Sequence, residues 1–386
     1  MKKSFTALAF GTFGLGITEF VMMGILPYAA KELGISIPTA GHLISAYALG
    51  VCTGAPLLVL FAHSWPLKRM LVLLMSLYTI AAFTTVIAPS YATVFIARFI
   101  SGLPHGAYFG VGSIVADRLS PKGKSALAVA LMSSGMTFAN LIGIPIGTFL
   151  STYSWRLVFA LSGVWGLITL FSIIKWIPYM EPLANTGFKG QFKFLKSPAP
   201  WLIIGATLLG NGGIFCWYSY INPLLTTVSG VPANYISLMM VLAGGGMVCG
   251  NLLGGRFADK FGPGHTGRAF EICIFVLLTS IFLFSHITWI SIVLMCLTTL
   301  CLFAVSAPQQ ILLLRYSKGG ELLGGAMVQL AFNFGNATGA FCGGLPVAAG
   351  RGYEWTALVG ACFALLGIIC YVTFCHKYER NIAMSK

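Results

Sequence analysis

Long apolar runs recur from one end of this chain to the other, and they limit its possible folds more than any other feature. Each run has about 18 to 25 residues, enough for a helix to cross a hydrocarbon layer of about 30 Å. Backbone polar groups inside a bilayer must be paired within their own segment, so the runs predict helices. They lie at 5–30, 41–61, 69–88, 92–116, 125–150, 156–177, 200–222, 235–254, 269–285, 288–314, 321–348 and 355–375. We therefore predict an all-α membrane protein with twelve transmembrane helices.

Composition and charge support a membrane location. Hydrophobic residues make up 57% and charged residues 8% of the chain, whereas soluble domains carry about 25% charged residues. Of the 23 Lys and Arg residues behind the net charge of +14, 19 fall in alternate loops that we assign to the cytoplasmic side. This asymmetry predicts a membrane protein with both termini in the cytoplasm, and the distribution of the basic residues excludes a nucleic-acid-binding protein. The first run is too long for a signal peptide and is therefore predicted to be a span.

Several chemical functions are not indicated. The ten cysteines contain no CxxC pair, and the six histidines show no ligand spacing, so neither a metal site nor a disulfide framework is predicted. The chain also lacks a GxxxxGK[ST] motif and a soluble domain long enough to hold ATP. We expect no cofactor and no enzymatic activity.

The chain repeats itself at one constant offset of 196 residues. The aligned pairs include Gly14–Gly210, Gly16–Gly212, Pro27–Pro223, Gly50–Gly246, Gly54–Gly250, Asn140–Asn336, Gly143–Gly339 and Gly147–Gly343. The agreement predicts two six-helix halves in parallel repeat, at 1–178 and 200–386, joined by a cytoplasmic linker at 179–199. Alternating-access transporters are built in this way, with the substrate site near the midplane between the halves. A repeat nevertheless indicates fold more directly than function.

The segment between the eighth and ninth runs combines small and charged residues. It reads GNLLGGRFADKFG from Gly250 to Gly262. Its small residues let helices touch, and Asp259 can cap a helix start or pair with a nearby basic residue. The segment resembles the loop signature of the major facilitator superfamily, which is taken to close the cytoplasmic side. In the first half His63 aligns with Asp259 and most of the pattern is missing. The resemblance implies a cytoplasmic gate at Gly250, Gly254, Arg256, Asp259 and Lys260.

Two further stretches narrow the resemblance. RFISGLPHGA, from Arg98 to Ala107, is similar to the arginine-bearing fourth-span motif of the superfamily. The fifth run is similar to its antiporter motif, and a Trp155-Arg156 pair follows in the next loop. Together these stretches resemble the twelve-span drug:proton antiporter branch, particularly its AraJ-like and sugar-efflux-like members. Small residues at an ordinary packing face are the alternative explanation for the fifth run. The residues of the antiporter motif are Gly135, Asn140, Gly143, Pro145 and Gly147.

Glu19 lies in the middle of the first apolar run, where a carboxylate is costly and usually functional. Arg98 and His105 are seven residues apart and hence on one face of the fourth span. The arrangement of the superfamily lines the central cavity with spans 1, 4, 7 and 10, so Glu19 can approach either residue. We interpret Glu19 as the proton carrier, with Arg98 and His105 setting its proton affinity. The alternative is a permanent ion pair between Glu19 and Arg98, and His105 is equally compatible with a neutral, hydrogen-bonded role.

The second half offers amide and aromatic side chains but no acid opposite Glu19, since the offset leads to Phe215. Such groups suit an uncharged polar or amphipathic ligand, including a stacked sugar, and each can also join helices by hydrogen bonds. Three other acids, Asp117, Glu271 and Glu321, are interpreted as helix-end or gate charges. The candidate substrate-binding residues are Asn211, Trp217, Tyr218, Asn222, Gln309, Gln310, Gln329 and Asn333.

These features predict a secondary transporter, in particular a proton-coupled antiporter that exports a small organic molecule such as a sugar, drug or metabolite. Its expected partners are that substrate, protons and the lipid bilayer, and the expected state is a monomer. The alternatives are an uptake symporter or uniporter of the same fold, and a membrane sensor that does not transport.

Overall fold

The computed structural model describes residues 2–35, 37–62, 64–151, 153–182, 187–232 and 235–379. His63, which the repeat aligns with Asp259, lies outside this part of the chain. Up to the linker, the α-helices are α1 (Lys2–Leu33), α2 (Ile37–Ala62), α3 (Leu67–Ile87), α4 (Tyr91–Leu119), α5 (Ser125–Phe138), α6 (Ile144–Ser151) and α7 (Trp155–Trp176). A π-helical segment at Ala139–Gly143 joins α5 to α6.

The linker contains a short helix, α8 (Gly187–Gln191), and a 3₁₀ turn at Lys193–Lys196. The helices that follow are α9 (Pro198–Tyr218), α10 (Ile221–Pro223), α11 (Ile236–Phe261), α12 (Pro263–Phe284), α13 (Thr288–Ala304), α14 (Ser306–Tyr316), α15 (Glu321–Ala348) and α16 (Trp355–Phe374). Two further π-helical segments lie at Leu224–Val228 and Cys375–Glu379. The described chain is thus helical almost throughout, as the apolar runs predict.

Nine helical segments among the described residues are long and apolar enough to cross a membrane. The helices α4 and α15 have 29 and 28 residues but are not in this group. Both are rich in glycine, and α4 also carries Arg98 and His105, which lowers its mean hydropathy. Twelve spans therefore stay a prediction. Large apolar side chains such as Ile87 and Trp289 are 79% and 78% exposed, as expected for surfaces that contact lipid.

The chain divides into two compact units. Unit 1 comprises Met1–Pro121, Leu131–Phe194 and Ser317–Gln329. Unit 2 comprises Lys122–Ala130, Leu195–Tyr316 and Leu330–Lys386. In unit 1, α4 packs along α2 and α3, and α7 packs along α1 and α3. In unit 2, α16 packs along α9 and α12, and α11 packs along α13. The predicted limits of the two halves stay a prediction.

The predicted loop between the eighth and ninth spans is wrong. The segment from Gly250 to Phe261 belongs to α11, and α12 begins at Pro263. Gly262 alone makes the turn, with a φ of 88° that non-glycine residues rarely adopt. Pro263 then starts α12 without loss, because the first residue of a helix has no hydrogen-bond partner for its N–H. The ninth predicted span corresponds to α12, which begins at Pro263 and so starts six residues before the apolar run that begins at 269.

Two prolines alter helices that the sequence predicts to be continuous. Pro308 has no N–H for the carbonyl of Ala304, and the tenth span is divided at Val305 into α13 and α14. Pro145 follows the π-helical segment, in which the N–H of Ile144 bonds to the carbonyl of Ala139. This widened turn accommodates a residue that cannot donate, and it interrupts the fifth span in the middle of the antiporter motif.

Candidate functional site

Glu19 lies in the middle of α1 and is only 6% exposed. Neither of its carboxylate oxygens has a hydrogen-bond partner among the described residues. The closest basic atom is Nε2 of His105, which lies 3.8 Å from the Glu19 Oε2 atom. His105 itself is fully buried in α4. A carboxylate in such surroundings is costly when ionised, because burial removes its hydration and nothing replaces it.

Arg98 lies two turns before His105 on α4 and is also fully buried. Its partners are backbone carbonyls, because its Nη1 atom donates to Thr18 at 2.7 Å and its Nε atom donates to Leu43 at 3.2 Å. Its guanidinium also lies over the ring of Tyr47, 4.6 Å from the centroid. The ion pairs of the described residues do not include Glu19 with Arg98. The basic group within 4.0 Å of Glu19 in this part of the chain is thus His105, and a permanent Glu19–Arg98 ion pair stays an untested alternative.

Tyr47 of α2 is a member of this cluster that the sequence analysis missed. Its hydroxyl lies 2.8 Å from Nδ1 of His105 and donates to the carbonyl of Leu15 at 3.3 Å. A signal was present, because Gly50 and Gly54 follow Tyr47 at one and two helical turns. Both glycines pack against the backbone of α4, so the face of α2 that carries Tyr47 is the face that meets α4.

These contacts define a polar path inside unit 1. A hydroxyl has one proton, so Tyr47 can satisfy both contacts by donating to Leu15 while accepting from Nδ1–H of His105. The Nε2 atom of His105 is then unprotonated and faces Glu19 at 3.8 Å, a distance too long for a direct hydrogen bond. The His105 ring stacks on Phe109 with centroids 5.2 Å apart, which holds its orientation. The cluster can therefore hold a proton at Glu19, and the Nε2 atom of His105 is the basic atom nearest to that carboxyl group.

The charged motif of α11 lies at the start of α5. Asp259 accepts hydrogen bonds from the backbone N–H groups of Ala126 and Leu127, at 3.0 and 2.9 Å. Asn251 donates to the carbonyl of Ala130 at 2.6 Å. All these residues belong to unit 2, which contains Lys122–Ala130. Asp259 thus caps a helix start, as the sequence predicts, but the helix is α5.

The basic residues of this motif do not pair with Asp259 within the described residues. Arg256 and Lys260 are exposed, and Lys260 lies over the ring of Phe261 at 5.0 Å. Gly250 and Gly254 serve close packing, because a β-carbon at either position would overlap a backbone carbonyl of α13. The motif therefore combines one acidic cap with a face of small residues, and its role as a gate stays a prediction.

The antiporter motif packs along α1. A β-carbon at Gly135 would overlap the carbonyl oxygen of Ala9, and one at Gly147 would overlap the side chain of Val21. Gly143 meets Ile17 in the same way. Asn140 donates to the carbonyl of Met136 at 2.9 Å within its own helix, and Pro145 is exposed. These glycines thus bring the fifth span against the helix that carries Glu19.

The fold agrees with comparisons to known proteins. The sequence model of the Major Facilitator Superfamily matches residues 8–324. The chain is 43% identical over 384 residues to the candidate transporter AraJ of Escherichia coli K12, covering 99% of this chain and 97% of AraJ. The chain belongs to the Major Facilitator Superfamily.

Other members of the superfamily are also similar. The inner membrane transport protein YdhP of Escherichia coli K12 is 36% identical over 380 residues, covering 98% of this chain and 97% of YdhP. A chloramphenicol resistance protein of Streptomyces lividans is 30% identical over 258 residues, covering 66% of each chain. The crystal structure of the fucose:proton symporter FucP of Escherichia coli matches with a TM-score of 0.76 at 15% identity, over 96% of this chain and 98% of FucP. The match to FucP shows the fold alone.

The substrate-binding residues predicted for this superfamily member are mostly buried. Asn211, Trp217 and Gln309 each leave one polar atom without a partner among the described residues, and all three belong to unit 2. Tyr218 is half-buried and contacts the rings of Trp217 and Phe215, at 5.9 and 6.2 Å between centroids.

The remaining candidates are divided between the units. Gln310 and Asn333 are buried in unit 2, whereas Gln329 is buried in unit 1 beside Gly106. The side chain of Asn222 lies outside the described residues. Substrate contact therefore stays a prediction for all eight residues.

Proposed function

We propose that this superfamily member is a proton-coupled antiporter that exports a small organic molecule by alternating access. The observation that carries the proposal is the Glu19 carboxyl group, buried without a hydrogen-bond partner among the described residues and 3.8 Å from His105. Such a group changes its charge when its surroundings change from dry to hydrated, which is what coupling a proton to a conformational cycle requires. Arg98 donates to two backbone carbonyls and forms no ion pair within 4.0 Å with Glu19 among the described residues, so the Glu19 carboxyl group is not held in one charge state by a direct contact.

The proposal includes twelve spans, an inner-membrane location with cytoplasmic termini, and a monomer. Similarity to AraJ supports transport, and similarity to a chloramphenicol resistance protein supports export of a small organic molecule. In our proposal the amide and aromatic groups of unit 2, such as Asn211, Trp217 and Gln309, contact the substrate, whereas unit 1 binds the proton. This division follows from the repeat, which keeps Gly14 and Gly210 equivalent but places Phe215 where unit 1 has Glu19.

Transport by reconstituted protein tests this function. Proteoliposomes with an acidic interior should accumulate the substrate as protons leave, and chloramphenicol and fucose are the first two compounds to measure. Accumulation driven by an acidic exterior would instead indicate a symporter. Movement that ignores the gradient would indicate a uniporter, and binding without movement would indicate a sensor.

The role of Glu19 is tested by Glu19→Gln in the same vesicles. We expect this variant to lose accumulation driven by the proton gradient but to keep exchange of labelled for unlabelled substrate, since exchange needs no net proton movement. Glu32→Gln is the matched control, because Glu32 lies on the same helix but is 45% exposed and paired with Arg156. Retention of gradient-driven accumulation in Glu19→Gln would show that another group carries the proton.

A further inference from the structure

Glu271 is a second buried acid, and the prediction that it is a helix-end charge is wrong. Asp117 and Glu321 do lie in terminal turns, of α4 and α15. Glu271, however, follows the first residue of α12 by eight positions, which is about 12 Å along the axis. Its side chain is 0% exposed, and neither carboxylate oxygen has a hydrogen-bond partner among the described residues.

The backbone around Glu271 is arranged to admit a carboxyl group. A β-carbon at Gly210 of α9 would overlap both carboxylate oxygens, and one at Gly367 of α16 would lie 2.8 Å from Oε1. A β-carbon at Gly367 would also lie 3.2 Å from the backbone nitrogen of Gly210. The carboxyl group therefore occupies the point where α9, α12 and α16 meet, and two glycines leave the space it fills.

No cation compensates Glu271 within the described residues. The titratable groups in electrostatic contact with it are Cys301 of α13 and Cys370 and Tyr371 of α16. The neighbouring α9 faces Glu271 with Gly210. The helices α11 and α14 also pack against α12, and their charged residues are Arg256, Asp259, Lys260 and Arg315. Among the described ion pairs, none joins these residues to Glu271.

The repeat shows that helix packing does not require an acid here. Glu271 aligns with Met75 in unit 1, which is equally buried, and Gly210 aligns with Gly14. In unit 1 the backbone of Gly14 is met by the hydroxyl of Tyr78, which donates to its carbonyl at 2.9 Å. Unit 2 thus has a carboxyl group where the equivalent packing in unit 1 uses a methionine and a tyrosine.

We propose that Glu271 is a second proton-binding site, occupied by a proton while α9, α12 and α16 are packed together and emptied when these helices separate. An ionised carboxylate at this position would lack both water and a cation, so the packed arrangement favours the neutral acid. Release requires water to reach the carboxyl group, and the two glycines provide no side chain to close the gap once the helices part. Any use of this proton in transport rests on the proposed function, whereas its binding does not.

Infrared spectroscopy of the purified full chain in lipid tests the site, because a neutral carboxylic acid has its own carbonyl-stretch band. At about pH 7, where an ordinary glutamate with its reference value of about 4.3 is ionised, wild-type protein should show this band. In Glu271→Gln the intensity of this band should be lower by the contribution of one carboxyl group. Glu271→Met, which copies Met75, should lose the same contribution and serves if the glutamine variant does not fold.

The contribution of Glu271 to the infrared band should disappear reversibly as the pH is raised further. The same contribution should be present in Glu19→Gln. Failure of Glu19 as the transport carrier would therefore leave this result unchanged. A band that is identical in wild type and Glu271→Gln would overturn the proposal. If no alkaline pH removes the Glu271 contribution to the band, Glu271 is a permanently neutral packing group. If sodium chloride removes that contribution at constant pH, the site binds a metal ion. Either result would also overturn it.

Discussion

Tyr47→Phe separates the contribution of one hydroxyl group from that of the ring. The substitution removes the oxygen that lies 2.8 Å from Nδ1 of His105. It keeps the aromatic face over which Arg98 lies at 4.6 Å. When the hydroxyl donates its proton to the carbonyl of Leu15, it accepts from Nδ1–H of His105, and Nε2 is then unprotonated beside Glu19. An unprotonated Nε2 offers neither a positive charge nor an N–H group to the carboxyl group 3.8 Å away, so that arrangement favours the protonated form of Glu19.

Loss of the hydroxyl removes this preference between the two histidine tautomers. His105 can then place its proton on Nε2, where it stabilises the ionised form of Glu19 instead. An unsatisfied buried donor costs about 1–3 kcal/mol, and about 1.4 kcal/mol corresponds to one pH unit. We therefore expect the pH midpoint for deprotonation of Glu19 to fall by about 1–2 units in Tyr47→Phe.

The measurement is a pH titration of the infrared carboxylic-acid band that Glu19→Gln removes, recorded on protein in lipid. Tyr78→Phe is the matched control, since the Tyr78 hydroxyl is equally buried in unit 1 but donates to the carbonyl of Gly14. An unchanged or higher midpoint in Tyr47→Phe would refute the tautomer argument. An equal fall in Tyr78→Phe would refute the assignment of the effect to the contact between Tyr47 and His105.

Three further predictions concern the packing and the charges of the units. Asp259→Ala removes the cap of α5 and should lower the free energy of unfolding in detergent by about 1–2 kcal/mol, as measured by thermal melts. Asp259→Asn should lose less, because an amide oxygen can still accept a hydrogen bond. Equal stability of wild type, Asp259→Ala and Asp259→Asn would contradict the cap. Gly135→Ala should destabilise by about 1–3 kcal/mol through overlap with α1, whereas Gly245→Ala, which meets open space, should melt at or above the wild-type temperature. Arg98→Lys cannot reproduce two directed bonds to backbone carbonyls and should lose about 1–3 kcal/mol in the same melts; a wild-type melting temperature would show that these bonds are dispensable.

The sequence predicts the helices well where apolar runs are long, and less well where small or polar residues shape the ends. The start of α12 was misplaced because the stretch after Pro263 contains glycines, His265 and Arg268, which read as a loop. Once this stretch is helical, Glu271 moves from the end of a span into its interior. A shift of two helical turns therefore changed the interpretation of that acid from a terminal charge to a buried one.

Contacts within the candidate site were harder to predict, because they depend on distances between helices. Spacing places Arg98 and His105 on one face of α4, but it does not tell which of them meets Glu19. That choice accompanies two hydrogen bonds from the Nε and Nη1 atoms of Arg98 to carbonyls of α2 and α1. Backbone carbonyls are present at every position of a chain, so no sequence pattern marks the two that bind. Asp259 shows the same difficulty, since its capping role was predictable but its partner α5 was not.

The attachment of Arg98 to backbone carbonyls has an electrical consequence. Its positive charge stays in unit 1 whether Glu19 is ionised or neutral, so the net charge of the pair alternates between zero and plus one. An exporter of an uncharged molecule that uses this pair would then carry one net charge inward in each cycle. Crossing the membrane potential is worth about 2.3 kcal/mol per charge for every 100 mV. The voltage across the inner membrane would thus drive export even when the two sides have equal pH.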